Sequence, residues 1–405
     1  MASVLQDFDQ YNTTDQSSVI DNIYQFTPKH QYSTKNNPLC GICLPQWIQI
    51  LRQRHHQIEW RKYWPRLLLI SCLSCVNSLL AIPEQLWYGK RLHEQPPSIT
   101  RPVFVLGHPR TGTTLLHSLL ALHMEQFAIC TTFCAGFPSC FLWFEHWGKR
   151  LFANIMDETR PMDNMRLHFD LPQEDECATN VLSAGTSPYM ALFFMHQEAE
   201  FQPYQAFHRD DDARQRWKSA FLGLCQKLML RAQLRGGGYR LLLKSPVHTA
   251  RIPLLLSLFP DAQFIYIHRH PYDVLRSALH MADTTYWYTY FHTPTHAQIQ
   301  EFVLRQYEIL WDEYVAGRAL LSDKQLLQVS FQELTSHPVE TLARIYQHFG
   351  WDGWEEELKP RVRRELQDLR SYEKNQHRPL HPALRKIVNE RWKASFEDLG
   401  YEQTL

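Results

Sequence analysis

The chain has 405 residues, which suits one large α/β domain or two smaller domains. Hydrophobic residues make up 44% of it and aromatic residues 13%, so it can bury a sizeable core and is not disordered as a whole. Lysine plus arginine and aspartate plus glutamate each number 42, so no overall basic charge favours nucleic acid. Any anion site must therefore come from a local arrangement.

The N-terminal third divides into a polar tail, residues 1–37, and a helical leader, residues 38–98. The tail has no apolar core of the kind a signal peptide needs, which predicts a flexible segment in a cytoplasmic protein. The odd number of nine cysteines fits a reducing compartment better than a disulfide framework. The main α/β domain is expected to occupy residues 99–405.

The most membrane-like segment is 66–82, bounded by Pro65 and Pro83. Its length lies at the lower limit for crossing a bilayer. A polar stripe at helical spacing interrupts it: Ser71, Ser74, Asn77 and Ser78. We therefore expect a packed amphipathic helix, with peripheral membrane contact left open. No metal site is predicted, because the histidines form no HExxH pattern and the Cys72-x2-Cys75 pair lies inside this apolar run.

Residues 103–117 are typical of a strand, a glycine-containing loop and a helix onset. Backbone N–H groups of such a loop converge with the positive end of the helix to form an anion cradle. The spacing Gly107-x4-Gly112 is close to that of nucleotide-binding P-loops, but Thr113 stands where they carry lysine. The loop instead contains a cation, Arg110. The pattern predicts a phosphate-type cradle altered for another anion.

Three further strands are predicted at 241–243, 264–267 and 326–329, each separated from the next by helical segments. This alternation predicts an α/β fold with a parallel sheet. Cations follow three of the strands: Arg110, Lys244 and Arg269. Because ligands bind at the carboxyl edge of parallel sheets, we expect these cations to face one crevice. Arg269 and Ser277, eight residues apart, could clamp a second phosphate.

Taken together, the two motifs resemble those of sulfotransferases that use 3′-phosphoadenosine 5′-phosphosulfate (PAPS). Residues 107–114 are similar to their 5′-phosphosulfate loop, and residues 269–277 to their 3′-phosphate element. The segments 242–248, 259–262 and 371–377 also resemble the branch of that family with Pro-Arg-Thr-Gly-Thr-Thr loops. The resemblance extends from about residue 84 to 402.

This resemblance implies a three-layer α/β/α fold with a P-loop-like phosphosulfate-binding loop. It implies PAPS as cosubstrate, no metal, and a hydroxyl acceptor such as a sterol, lipid, phenol or polyketide-like alcohol. The implied cofactor-binding residues are Arg110, Thr111, Gly112, Thr113, Thr114, Arg269 and Ser277. Lys244 matches a catalytic lysine. The chain departs from the cytosolic members in carrying Pro246 where they have the catalytic histidine, and in lacking their Arg-Lys-Gly-x-x-Gly loop.

The general base is expected to be His248, just beyond the strand that ends at Lys244. A second candidate cluster is 168–176, in which His168 or Glu174 could act instead. The run of acids at 174–176 is also typical of a solvated helix start. The aromatic run at 286–291 predicts core or lid packing, part of which could line an apolar acceptor pocket.

Three alternatives remain open at this point. A P-loop kinase-like phosphotransferase would need a loop lysine that the chain lacks. A saccharide sulfotransferase would share both anion motifs. A catalytically inactive nucleotide-binding protein would not need Arg110, Lys244, Arg269 and Ser277 together. The sequence indicates neither the acceptor nor the oligomeric state.

Overall fold

The computed structural model describes residues 23–27, 29, 31–152, 167–368 and 379–404. Its centre is a five-stranded parallel sheet with the strand order β2-β3-β1-β4-β5. The strands are β1 (Val103–Leu106), β2 (Phe127–Ile129), β3 (Arg240–Lys244), β4 (Gln263–His268) and β5 (Leu326–Ser330). The predicted α/β class and parallel sheet are therefore confirmed.

Helices flank the sheet and supply its crossovers. They are α1 (Leu44–Arg54), α2 (Trp60–Glu94), α3 (Thr113–Ala121), α4 (Thr132–Gly136), α5 (Phe141–Phe152), α6 (Asp175–Leu182), α7 (Glu198–Phe201), α8 (Asp211–Arg235), α9 (Ile252–Leu258), α10 (Pro271–Thr285), α11 (His296–Arg318), α12 (Phe331–Ser336), α13 (Pro338–Phe349), α14 (Lys359–Asp368), α15 (Pro382–Arg391) and α16 (Lys393–Leu399).

The sheet is buried on both faces, as its apolar strands predict. Successive side chains of a strand point to opposite faces, so one strand serves two cores. In β1, Phe104 and Leu106 join the larger core, whereas Val103 and Val105 join the smaller one. All four side chains are fully buried. The central strands are thus fixed from both sides, and this rigid platform holds the loops at its carboxyl edge.

The four predicted strands lie where the sequence placed them, as β1, β3, β4 and β5. Strand β2 was not predicted, because it has three residues and its apolar signal is too short to separate from the preceding helix. The structure extends the predicted 66–82 helix into α2, which has 35 residues and runs through both Pro65 and Pro83.

The helices of the leader pack on the same core as the sheet. Trp47 and Ile50 of α1 and Tyr63 and Leu67 of α2 belong to the larger hydrophobic core. The guanidinium of Arg66, 2% exposed, donates hydrogen bonds to backbone carbonyls outside its own helix. These contacts bind α2 to the body of the protein.

Candidate active site

The loop between β1 and α3 takes a shape that requires glycine at two positions. Gly107 and Gly112 have φ of 144° and 101°, which side chains rarely allow. A Cβ atom on Gly107 would lie 2.5 Å from the carbonyl oxygen of Ile267, and one on Gly112 2.4 Å from the Phe331 ring. Arg110 also has a positive φ of 77°. Such backbone strain is typical of a functional loop.

The loop ends at the N terminus of α3, with Gly112 as the cap residue. No side chain of the described residues accepts the hydrogen bonds of this helix end. The first N–H groups of α3 are therefore available to an anion, and the helix dipole favours negative charge there. The sequence-predicted loop residues Thr111, Thr113 and Thr114 surround this end, the first two buried. The observed geometry fits the phosphate-type cradle that the sequence predicts.

The two anion motifs meet in space. Arg110 Nε donates a hydrogen bond to Ser277 Oγ at 3.0 Å, across 167 positions of the sequence. Arg269 Nη1 contacts the carbonyl oxygen of Arg110 at 3.4 Å. The Arg269 guanidinium lies 4.5 Å from the centre of the Phe331 ring, which shields one of its faces. Two arginines and a hydroxyl thus form one cluster beside the loop.

Arg269 fits a role in holding a phosphate. Its Nε is buried and makes no hydrogen bond within the described part of the chain. Its nearest carboxylate oxygen, on Asp273, is 3.8 Å away. Burial lowers the pKa of Arg269, and the charge of Arg110 acts in the same direction, whereas Asp273 opposes it. A partly exposed guanidinium with a buried, unused Nε–H is a site that a charged oxygen would satisfy.

A second cluster lies where β3 ends. Lys244 Nζ donates to Glu174 Oε1 at 2.8 Å and to Thr114 Oγ1 at 3.4 Å. The other carboxylate oxygen of Glu174 accepts a hydrogen bond from the Tyr189 hydroxyl at 2.5 Å. Burial, and then the Glu174 charge, raise the pKa of Tyr189 well above its usual value, so Tyr189 remains a donor. Lys244 therefore bridges the carboxylate and the anion loop.

The three acids that begin α6 pair in order with the chain that follows β3. Glu174 pairs with Lys244, Asp175 with His248, and Glu176 with Arg251. The last two pairs are completely buried. These acids were also interpreted as a solvated helix start, and that interpretation is wrong for Asp175 and Glu176. They fix the start of α6 against the end of β3, and so hold Glu174 beside Lys244.

His248 lies inside this buried network. Its side chain has no exposed surface, and its Nε2 is 2.7 Å from Asp175 Oδ2. Its ring packs edge-on against Phe104 and Phe221, at 5.4 and 5.5 Å between centroids. Burial raises the pKa of Asp175, but the His248 interaction outweighs burial and keeps this pKa below its usual value. A group enclosed in this way has no face on which an acceptor could lie.

His168 lies outside this buried network. It is exposed, and its Nδ1 accepts a hydrogen bond from the Asp170 N–H in its own turn. No hydrogen bond of the described residues joins it to Lys244 or to the anion loop. The predicted C-terminal segment 371–377 lies outside the described residues.

The aromatic segment at 286–291 borders the site through Tyr286. Burial raises the pKa of this tyrosine, the charge of Arg110 acts against the shift, and the charge of Glu174 adds to it. Trp287, Tyr288, Tyr290 and Phe291 are buried, in keeping with the predicted core packing.

Among the described residues, one group of side chains is close enough to share a metal ion: His123, Glu125 and Glu357. Its ligand atoms already have partners. Glu125 forms a two-fold ion pair with Arg361, and His123 bonds Glu357 at 2.8 Å through Nε2. The group adjoins the start of β2, at the edge of the sheet away from the anion loop. It gives no argument for a metal in the candidate active site.

A parallel sheet with a phosphate-type loop and two arginines beside it is typical of proteins that bind a nucleotide. Comparison with known proteins identifies the family. Residues 102–356 match the model of the sulfotransferase family. Over 367 residues the chain is 30% identical to the omega-hydroxy-beta-dihydromenaquinone-9 sulfotransferase of Mycobacterium bovis, covering 90% of this chain and 91% of that protein. The chain belongs to the sulfotransferase family.

Two solved structures share the fold. Sulfotransferase STF1 from Mycobacterium tuberculosis has a TM-score of 0.62 and 20% identity, over 86% of this chain and 90% of its own. Sulfotransferase STF9 from Mycobacterium avium has the same TM-score and 18% identity, over 89% and 93%. The predicted enzyme class is therefore confirmed, and with the family comes the predicted sulfuryl donor, PAPS.

Sequence reasoning did not find Tyr189. It lies in a stretch without a recognisable motif, and its contact with Glu174 depends on the way α6 and the following 3₁₀ helix fold back. The pairing of three successive acids with Lys244, His248 and Arg251 did leave a signal, since both sets are closely spaced. That signal becomes readable only when α6 is known to lie against the end of β3.

Proposed function

We propose that the protein transfers the sulfuryl group of PAPS to a hydroxyl group of an apolar, lipid-like molecule, with Glu174 as the general base. The observation that carries the proposal is the arrangement at the carboxyl edge of the sheet. Lys244 lies between the anion loop and a carboxylate that is 24% exposed. In this proposal Lys244 is the cation on the donor side, and Glu174 is the proton acceptor on the more exposed side of one small site.

The chemistry needs little beyond these groups. The acceptor oxygen attacks sulfur while the bond from sulfur to the phosphate oxygen breaks, giving a sulfate ester and 3′-phosphoadenosine 5′-phosphate. Lys244 and the N–H groups of α3 stabilise the negative charge that grows on the leaving phosphate. Glu174 accepts the proton of the acceptor hydroxyl. Tyr189, bonded to the second oxygen of Glu174, orients the carboxylate.

Two features favour Glu174 over the other predicted bases. Its carboxylate is partly exposed and contacts Lys244, whereas the His248 side chain is fully enclosed. His168 makes its described hydrogen bond within its own turn. In this proposal His248 positions the site through Asp175 and does not touch the acceptor.

An apolar acceptor is supported by the surroundings and by one relative. Tyr189 places an aromatic ring against Glu174, and the charges of Arg110 and Glu174 both act on Tyr286. Aromatic surfaces suit apolar molecules. The mycobacterial relative is named for a hydroxylated menaquinone, a lipid. A saccharide, by contrast, would call for more exposed hydrogen-bonding groups than these two rings offer.

The direct test is to incubate the full chain with labelled PAPS and a panel of long-chain alcohols, sterols, phenols and saccharides. We expect label to be transferred to an apolar alcohol without added Mg²⁺. In the same preparation 3′-phosphoadenosine 5′-phosphate should bind more tightly than ATP, because Arg269 and Ser277 add a phosphate contact beside the loop that a triphosphate chain does not need. Tighter, Mg²⁺-dependent binding of ATP would support the kinase-like alternative. Binding without any transfer would support an inactive nucleotide-binding protein.

Replacing Arg269 by alanine should weaken nucleotide binding more than it slows turnover at saturation. The change removes a buried charged donor whose loss costs about 1.5–3 kcal/mol, so the Kd for 3′-phosphoadenosine 5′-phosphate should rise roughly tenfold to a hundredfold. Calorimetry measures this value. The matched control is Arg276→Ala, because Arg276 is more exposed and pairs with Asp273. Equal Kd values for the two variants would show that Arg269 does not hold phosphate.

A further inference from the structure

Helix α2 turns its polar side inward. Three of its buried polar residues bond to the body of the protein rather than to solvent: Arg66, Asn77 and Glu84. The hydroxyl of a fourth, Ser74, donates to the Ser71 carbonyl oxygen of the same helix. The side-chain amide of Asn77 donates to the carbonyl oxygens of Cys40 and Ile42, at 2.7 and 3.1 Å. Glu84 accepts a hydrogen bond from the Leu142 N–H at 2.8 Å. A surface helix ordinarily has the opposite arrangement, with its polar side in water.

The outward side of α2 is apolar along almost its whole length. Eight exposed large hydrophobic side chains lie on it: Trp60, Trp64, Leu68, Val76, Leu79, Ile82, Leu86 and Trp87. Most of them recur at intervals of three or four residues, and the exposed Cys72 lies between Leu68 and Val76, so they form one stripe. From Trp64 to Trp87 the stripe is about 35 Å long at the rise of an α-helix. Soluble monomers rarely expose so large a continuous apolar surface.

Helix α5 widens the stripe. The rings of Trp87 and Trp143 meet edge-on, 5.7 Å apart. One and two helical turns beyond Trp143, the side chains of Trp147 and Leu151 are 61% and 67% exposed. We call the eight side chains of α2 together with Trp147 and Leu151 the apolar face. Among the described residues it holds more than half of the exposed large hydrophobic side chains.

The charges of α2 lie at its two ends. Between Arg66 and Lys90 the sequence has one charged residue, Glu84, and that residue is buried. At the N-terminal end Arg61 is exposed next to Trp60 and Trp64, and at the C-terminal end Lys90 and Arg91 are exposed near Trp87. Tryptophan and cations at both borders of an apolar stretch are typical of helices that lie at a membrane surface.

We propose that the apolar face docks on the surface of an anionic lipid bilayer, with α2 lying flat in the headgroup region. The choice of a lipid surface rests in part on the proposed function, because an apolar hydroxyl acceptor resides in such a membrane. The cations at the ends of α2 then meet lipid phosphates. Trp60, Trp64 and Trp87 lie at the depth that their amphipathic rings prefer.

The contacts of α2 argue against a membrane span. By length and composition alone α2 could cross a bilayer, and 28% of its most apolar window is buried in the protein. Crossing would break the buried hydrogen bonds of Arg66, Asn77 and Glu84 and leave these groups in hydrocarbon. A helix that keeps them can only present its outer side to lipid.

The same charges argue against pairing with a second copy. In an antiparallel pair of α2 helices, Arg61 of one copy would face Lys90 and Arg91 of the other. In a parallel pair each cation would face its own equivalent. Glu94, 4.0 Å from Lys90, offsets one of these cations but not the other two. Anionic lipid complements the charges where a second copy opposes them.

The docked helix is connected to the active site. Arg66 donates hydrogen bonds to the carbonyl oxygens of Trp287 and Tyr290, in the aromatic segment that brings Tyr286 to Arg110 and Glu174. The helix that contacts the membrane thus also holds the segment that contains Tyr286.

The test is sedimentation of the full chain with vesicles, without PAPS or acceptor. We expect binding to vesicles of phosphatidylcholine with phosphatidylglycerol, and weaker binding to phosphatidylcholine alone. Leu79→Glu should lower the partition coefficient at least about tenfold, because it replaces an apolar side chain that the bilayer would bury with a charge that anionic lipid repels. The matched control is Leu320→Glu, since Leu320 is 60% exposed on another part of the surface and Leu79 67%. Replacing Lys90 and Arg91 by glutamine should reduce the preference for anionic vesicles.

Other results would overturn the proposal. Equal binding of Leu79→Glu and Leu320→Glu would show that the apolar face does not contact lipid. A dimer in ultracentrifugation that Leu79→Glu dissociates, with no vesicle binding, would assign the face to a second copy. Transfer to a long-chain alcohol of the panel, supplied in detergent micelles instead of vesicles, tests the proposed function separately and should be equal in all of these variants. Absence of that transfer in the wild type, with vesicle binding intact, would contradict the function and not the docking.

Discussion

Replacing Glu174 by glutamine should lower kcat by about a hundredfold to ten-thousandfold, the range that a general base contributes. Glutamine keeps the size of the side chain, and its carbonyl oxygen can still accept a hydrogen bond from Lys244 or Tyr189. It cannot accept the proton of the acceptor. The loss should therefore fall on turnover, and the acidic limb of the kcat/KM profile should disappear with the carboxylate.

The affinity for 3′-phosphoadenosine 5′-phosphate separates this role from damage to the donor site. In Glu174→Gln it should stay within about threefold of the wild-type value, less than about 1 kcal/mol. Asp170→Asn is the matched control, because Asp170 is an exposed carboxylate of the same segment and should be dispensable. Near-normal kcat in Glu174→Gln would exclude this carboxylate as base. His168→Ala would then be the next variant to assay.

Lys244 and Glu174 also show why the sequence predicts one half of the site better than the other. The lysine, the glycine loop and Arg269 directly follow strands, and the carboxyl ends of parallel strands meet at one edge. Their convergence therefore follows from topology. The structure confirms it in the hydrogen bonds from Lys244 to Thr114 and from Arg110 to Ser277.

The proton-accepting side does not follow from topology in the same way. Glu174 precedes α6, and its approach to Lys244 depends on how Asp175 and Glu176 are buried. Sequence spacing cannot distinguish three solvated acids from three acids that each have a buried partner. The same difficulty affected His248, since a position just past a strand end predicts access to the crevice, whereas the structure encloses it between Phe104 and Phe221.

The exposed side of α2 was predicted least well. Its serines and Asn77 indicated an amphipathic helix, and such helices ordinarily expose their polar stripe. Here the stripe bonds to the leader: Ser71 accepts from the Trp47 indole at 2.8 Å and Ser78 from the Leu44 N–H at 2.8 Å. Periodicity detects two faces of a helix in a sequence, but it does not say which face packs against the rest of the protein.

Replacing His248 by alanine should cost about 3–5 kcal/mol of unfolding free energy, the loss expected when a buried charge loses its main partner. Asp175 would remain fully buried without its main partner, retaining the Ser245 hydroxyl at 3.1 Å. Denaturant unfolding monitored by tryptophan fluorescence measures the loss. His117→Ala is the matched control, because His117 is equally buried but makes no hydrogen bond with a carboxylate of the described residues.

A double-mutant cycle assigns this loss to the pair. Adding Asp175→Asn removes the buried charge, so it should restore part of the stability of His248→Ala, with a coupling of at least about 1 kcal/mol. The pH dependence has a definite sign. Because the folded pKa of Asp175 is lowered, the contribution of the pair is complete above about pH 4 and is lost as the pH falls through the folded value. His248→Ala should therefore lose less stability than the wild type in this acid range.

Kinetics of a milder variant then separate positioning from base catalysis. His248→Gln keeps a donor near the position of Nε2, so it should hold Asp175 and leave kcat within about tenfold of the wild-type value, well below the loss expected of a missing base. A loss of a hundredfold or more in this variant, with normal stability and normal nucleotide affinity, would make His248 the base and contradict the role proposed for Glu174. A small kinetic loss in His248→Gln together with a large stability loss in His248→Ala requires that the imidazole act through Asp175, at a distance from the acceptor.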